Sequence, residues 1–137
     1  PCLLKDTMQL AAFNSNNFVL GHAAMMINEG LPNFLVSKLR EKYDLSKIKV
    51  GILGMAFKAD IDDNRDSLSY KMGKVLRFYG AQVFYSDEYV KDSTFVSKEK
   101  LLRESDVVII GVAHTAYHNL KISRKKDVID LWGIIKR

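Results

Sequence analysis

From residue 18 to about residue 42 the apolar positions fall at Leu20, Ala24, Ile27, Leu31, Phe34 or Leu35, and Leu39, in alternating steps of four and three. That spacing draws one stripe along a long helix, Phe18 to about Lys42. Pro32, two residues after Gly30, predicts a kink or local unwinding inside it. A shorter helix, Thr7 to Phe13, comes first, with Asp6 and Thr7 as N-cap residues and Asn14-Ser15-Asn16-Asn17 as a polar break after it. The long helix would extend roughly 37 Å, more than a small sheet can cover, so part of it needs another partner. Gly21, Ala23 and Ala24 permit close helix approach, and Met25 and Met26 add adaptable packing surface. The expectation is a helix–helix contact between subunits, with packing inside the chain as the alternative. His22 reads as structural or exposed.

After a linker, Tyr43-Asp44-Leu45-Ser46-Lys47, the period changes. Ile48 to Leu53 is β-branched and nearly all apolar, which suits a strand buried on both faces of a parallel sheet. Leu68, Met72, Val75, Leu76 and Tyr79 mark a helix that stops at Gly80, and Ala81 to Tyr85 is a second strand. Strand, helix, strand is a βαβ unit, which requires parallel pairing and a right-handed crossover. A short helix from Ser97 to Arg103, a third strand from Asp106 to Val112 and a fourth from Asp127 to Leu131 repeat the pattern. The expected fold is α/β: a small doubly wound parallel sheet, Rossmann-like, preceded by a long helical dimerisation segment. The division falls at 1–46, helical, and 47–137, the parallel sheet with its helices.

Chemistry concentrates where the first strand empties into its loop. Gly54 allows a sharp turn and lets backbone N–H groups approach a ligand. Gly51 and Gly54 give only G-x-x-G, a partial match to a dinucleotide fingerprint. Lys58 and Arg65 flank an acidic loop of Asp60, Asp62 and Asp63, and Asp66 and Ser67 can cap the next helix. Two cations beside a capped helix start suit a phosphate; alternatively the loop charges pair with one another. Asp87, ending the second strand, is either a ribose ligand or an ordinary strand-end carboxylate. His114, past the third strand, is a candidate ligand contact, whereas His118 reads as surface. Trp132 serves packing or base stacking, packing being the commoner use.

Composition narrows the classes. At 137 residues, with 47% hydrophobic and 27% charged content, the chain suits one ordinary globular domain plus an appendage. No apolar run is long enough to cross a bilayer and no signal layout opens the chain, so a cytoplasmic protein without membrane contact is expected. The net charge of +5 is spread out, without a basic block, which argues against nucleic acid and toward small anions. Cys2 is the single cysteine, so an internal disulfide is excluded. Lying just before a helix start and near Lys5, it sits in a positive field that raises its thiolate fraction, or else it is inert and buried. No residue set reads as a metal site. The chain opens on Pro1 instead of methionine, as a fragment or processed piece would.

Two segments together carry a family resemblance. Pro1-Cys2-Leu3-Leu4-Lys5-Asp6 resembles the catalytic cysteine segment of the UDP-glucose/GDP-mannose dehydrogenases. Gly54-Met55-Ala56-Phe57-Lys58 with Asp63-Asn64-Arg65-Asp66-Ser67 resembles their signature at the nucleotide-sugar end, in the same order and at a fitting separation. The resemblance spans essentially the whole chain but only the back part of such an enzyme, with the NAD-binding domain upstream. It implies oxidation of a nucleotide-sugar C6 alcohol to the acid by two NAD⁺, UDP-glucose being the family default. By the same resemblance Cys2 is the nucleophile that captures the intermediate aldehyde, and Asp6 assists hydrolysis of the later thioester. Lys5 acts electrostatically, Phe57 and Lys58 meet the UDP-sugar, Arg65 reaches toward the NAD phosphates, and the 18–42 helix forms a homodimer. This chain departs from the pattern at Asp130-Leu131-Trp132-Gly133, where many members carry an arginine, at Asp87-Glu88 in place of Asp-Pro, and at Asp66 in place of a common Glu. The competing expectation is a stand-alone flavodoxin-like binding or dimerisation module without catalysis.

Overall fold

The computed structural model of the chain describes residues 3–15 and 17–136. Helix α1 (Leu3–Phe13) and helix α2 (Val19–Lys42) precede an alternating series: β1 (Lys49–Leu53), α3 (Leu68–Phe78), β2 (Gln82–Ser86), α4 (Lys98–Glu104), β3 (Val107–Ile110) and β4 (Asp127–Asp130). The four strands form one parallel sheet in the order β2-β1-β3-β4. Each expected helix and strand forms, with ends shifted by a few residues. The linker is more ordered than its composition predicted: Leu45–Lys47 makes a single 3₁₀ turn whose start is capped by Asp44, accepting from the Ser46 N–H at 3.2 Å.

Side chains of the central strands alternate between two cores, as the pleat requires. Val50, Ile52, Val107 and Ile109 face Met72 and Leu76 of α3 together with Val36 and Leu39 of α2. Leu53, Val108 and Ile110 face Leu101 of α4 and Tyr117. Helices on both faces make the sheet doubly wound, and a fully buried aliphatic side chain here contributes about 1.5–3 kcal/mol. Gly51 leaves the room on the second face that α4 occupies: a Cβ there would lie 2.4 Å from Leu101 Cδ2 and 2.5 Å from Ser105 Oγ.

Helix α3 begins at Ser67, whose hydroxyl accepts from the Ser69 N–H at 3.3 Å. It ends with Gly80 at φ +89°, the Gly80 and Ala81 N–H groups closing on Arg77 and Leu76 carbonyls. Helix α2 is fastened to the rest by Lys71 pairing with Glu29, by the Arg40 guanidinium 3.9 Å from the Tyr79 ring centre, and by Lys42 and Tyr43 both hydrogen-bonding Asp127 at the start of β4.

Three features of α2 bear on what its sequence predicted. Of the kink or local unwinding expected at Pro32, the unwinding does not occur: the helix is continuous through the buried proline. Gly21 serves a contact within the chain: a Cβ there would stand 2.2 Å from the Phe18 ring, which folds back over it. The helix has two apolar faces where the spacing drew one. Pro32, Val36 and Leu39 are buried, whereas Leu20 is 80% exposed, Ile27 76% and Phe34 57%. Phe13, ending α1, is 90% exposed.

Candidate functional site

The loops leaving β1, β2 and β3 meet over one carboxylate. Asp87 Oδ2 accepts from the Met55 N–H (2.5 Å), the Ala56 N–H (3.1 Å) and His114 Nε2 (3.0 Å). Its Oδ1 accepts from the Tyr89 and Val90 N–H groups, both at 2.8 Å. Gly54 makes this convergence possible. Its φ is +91° and a Cβ there would stand only 2.7 Å from the Val112 backbone nitrogen, so no L side chain fits the turn that aims the next two N–H groups at Asp87. Burial opposes ionisation of Asp87, yet the His114 hydrogen bond and the backbone donors outweigh it and hold the carboxyl well below the usual range.

The expectation that the N–H groups after Gly54 receive an external anion is thereby corrected. An internal anion, Asp87, takes the two that follow the glycine, and its side chain has no exposed surface left for a ribose. His114 is likewise corrected from ligand contact to structural group. Its side chain is fully buried and both ring nitrogens are engaged, Nδ1 accepting from the Asp60 N–H at 2.9 Å. With Nδ1 an acceptor, Nε2 carries the proton and donates to Asp87. His118 is exposed, as expected.

Asp60 joins the β1 loop to the segment after β3. It adopts a left-handed backbone, φ +57°, a conformation Asp tolerates. Its carboxylate accepts from the Thr115 N–H (2.9 Å), the Thr115 hydroxyl (2.5 Å) and the Tyr89 hydroxyl (3.1 Å). The Thr115 hydroxyl and then its N–H hold the Asp60 carboxyl below its ordinary range. The base of the same loop is closed by the Phe57 N–H donating to the Asp63 carbonyl at 2.6 Å.

On the α2/α3 side of the sheet's carboxyl edge lies a cavity of about 240 Å³. Ala56 and Phe57 after β1, Gly111 and Val112 after β3, and Leu131 and Trp132 after β4 form one wall; Leu31, Pro32 and Leu35 of α2 and the start of α3 form the other. Chain order reverses between β1 and β3, and parallel sheets take ligands outside the carboxyl ends of their strands at such a point. Trp132 is 56% exposed at this wall, its Nε1 donating to the Gly111 carbonyl at 3.2 Å, so it is a cavity-lining group and not core.

The residues singled out from the sequence divide into four groups. Phe57 lines the cavity, and Lys58 follows it, exposed and without an ion-pair or hydrogen-bond partner among the described residues. Arg65, at the far end of the loop, is exposed and held by Asp63 through Nε at 2.9 Å and Nη2 at 2.7 Å, so these loop charges do pair with each other. Asp6 is exposed in the first turn of α1 and shares no hydrogen bond or ion pair with the β1 loop among the described residues. Cys2 and the Lys5 side chain lie outside the described residues. The contribution of α2 to the cavity wall was missed. Its only trace in the sequence is the break of the stripe at Leu31-Pro32, where one helix serves two faces.

Residues 51–137 match the model of the UDP-glucose/GDP-mannose dehydrogenase family, UDP binding domain. The UDP-N-acetyl-D-mannosamine dehydrogenase of Pyrococcus horikoshii is 32% identical over 98% of this chain, which spans 35% of that protein. A solved structure of the UDP-D-ManNAc dehydrogenase of the same organism superposes with a TM-score of 0.86 at 30% identity, covering 99% of this chain and 35% of the other. A UDP-glucose dehydrogenase from Pyrobaculum islandicum gives a TM-score of 0.84 at 31% identity over 94% of this chain and 33% of its own. This chain thus spans about a third of the length of these relatives. With residues 51–137 matching the family's model and a relative 32% identical over 98% of the chain, the chain belongs to the UDP-glucose/GDP-mannose dehydrogenase family.

Proposed function

We propose that the chain is the C-terminal, nucleotide-sugar-binding part of an NAD-dependent nucleotide-sugar 6-dehydrogenase, acting on a UDP-sugar such as UDP-glucose. The observation that carries this reading is the cavity at the β1/β3 switch point, walled by Phe57 and Trp132 and followed along the chain by Lys58, a cation without a partner among the described residues. Planar apolar walls suit a base or a sugar face, and a lysine beyond them suits a phosphate.

The residues present do not fit the dinucleotide cofactor at the turn after β1, because Asp87 already fills the N–H groups a pyrophosphate would use. Cofactor binding is therefore assigned to the remainder of the protein, with Arg65 its contact from this chain. Two steps fall to this chain. The Cys2 thiolate adds to the C6 aldehyde carbon, forming a C–S bond while the carbonyl pair moves to oxygen and is protonated. At the thioester stage Asp6 takes a proton from water, the water oxygen bonds to the acyl carbon, and the C–S bond breaks to return the Cys2 thiolate. Lys5 adds positive charge beside these groups. The exposed apolar face of α2 is proposed to receive a second copy of the chain. Among the described residues no helix is long and apolar enough to cross a membrane, and a cytoplasmic location is part of the proposal.

Calorimetric titration of the full chain with UDP tests the binding reading. Saturable binding that weakens about tenfold in Lys58→Ala is expected, the loss of one charge-assisted contact. Absence of heat, or indifference to the substitution, counts against it.

A further inference from the structure

The turn that carries Lys58 is held at two points. At its base the Phe57 N–H donates to the Asp63 carbonyl at 2.6 Å, and two residues beyond Lys58 the loop is fixed by Asp60. There the Asp60 N–H meets buried His114, and the Asp60 carboxylate takes both donors of Thr115 and the hydroxyl of Tyr89. His114 is itself fixed from behind by Asp87, 3.0 Å away, and its ring is flanked by those of Tyr89 and Tyr117, with centres 4.9 and 5.2 Å off. Asp60, Thr115, Tyr89 and His114 all stand outside the cavity lining. They connect the loops after β1, β2 and β3 across the switch point, away from the cavity.

We propose that Asp60, latched to Thr115, Tyr89 and His114, is a positioning residue that fixes Lys58 for the phosphates of the nucleotide. This rests on the binding reading above and deepens it: the specificity for a charged nucleotide over its nucleoside depends on a contact made away from the ligand. A lysine on a loose loop loses side-chain and backbone freedom when it binds, whereas one on a latched loop has much of that cost met during folding. Asp60 sits in a left-handed conformation between two anchoring segments, so the latch constrains the backbone within two residues of Lys58.

The test is a double-mutant cycle on the full chain, titrated calorimetrically with UDP and separately with uridine. Asp60 is exposed, so Asp60→Ala leaves both cores intact, and retention of the thermal midpoint is checked first. Expected are a five- to tenfold weaker UDP affinity in Asp60→Ala, unchanged uridine affinity, and no further loss when Asp60→Ala is added to Lys58→Ala. Asp60→Asn, which tolerates the same backbone and keeps an acceptor for Thr115, restores most of the affinity, and Thr115→Val repeats part of the loss. Wild-type UDP affinity in Asp60→Ala, equal losses for UDP and uridine, or additive losses with Lys58→Ala would each overturn the latch. A wild-type chain that binds neither ligand would overturn the binding reading, and is distinguishable because the failure then precedes any substitution.

Discussion

His114 Nε2 lies 3.0 Å from Asp87 Oδ2, with both side chains sealed from solvent. The pair occupies the point where a nucleotide-binding sheet would offer its first turn to an anion, and it closes that point with an anion of the protein's own. The cavity lies on the other side of the sheet edge, between the loops and α2.

Asp87→Asn is expected to destabilise the chain by about 3 kcal/mol, measured by urea unfolding. An amide has one acceptor oxygen where the carboxylate has two, so its NH₂ must face backbone donors on one side. A loss under about 0.5 kcal/mol would show that the carboxylate is not the hub of the three loops.

The same carboxylate predicts an acid limb in stability. Its folded pKa is depressed, so its contribution is complete above the unfolded value of about 3.9 and is lost as pH falls toward the folded one. Stability should decline below about pH 4, and the decline should be shallower in Asp87→Asn, which has no proton to take up there. Parallel acid limbs in the two proteins would assign the effect to other carboxylates.

Gly54→Ala is expected to cost about 2–3 kcal/mol, since φ is +91° and the added carbon would stand 2.7 Å from the Val112 backbone nitrogen. Thermal denaturation reads this directly. By contrast Gly133→Ala, also at positive φ but with open space around it, should cost less.

Trp132 is the single tryptophan, so its emission reports on the cavity wall alone. Saturating UDP should change that emission, and Trp132→Ala should weaken UDP binding about tenfold, in line with ~1–3 kcal/mol for a lost stacking surface. An unresponsive emission would place the nucleotide elsewhere.

Leu20→Glu combined with Ile27→Glu should convert the proposed dimer to monomer in sedimentation, raising the dissociation constant at least tenfold while the melting temperature of the sheet core holds. Both side chains are largely exposed on the single chain, so their loss removes little of its own packing. An unchanged association state would remove α2 from the proposed interface.

Local pattern alone was enough for the secondary structure and the parallel, doubly wound sheet. Helix spacing, the β-branched runs Ile48–Leu53 and Asp106–Val112, and the stops at Gly54 and Gly80 each act over a few residues, where sterics and burial period decide the outcome. The segment around Phe57 and Lys58 that resembles the family's was equally legible, and Phe57 lines the cavity. What only the tertiary structure decided is who answers whom. Whether the N–H groups after Gly54 await a ligand or a carboxylate 32 residues away, whether His114 is a contact or a buried strut, and which face of α2 is left bare all depend on groups distant in sequence. Electrostatic and hydrogen-bond partners are chosen by proximity in space, and no periodicity along the chain encodes that.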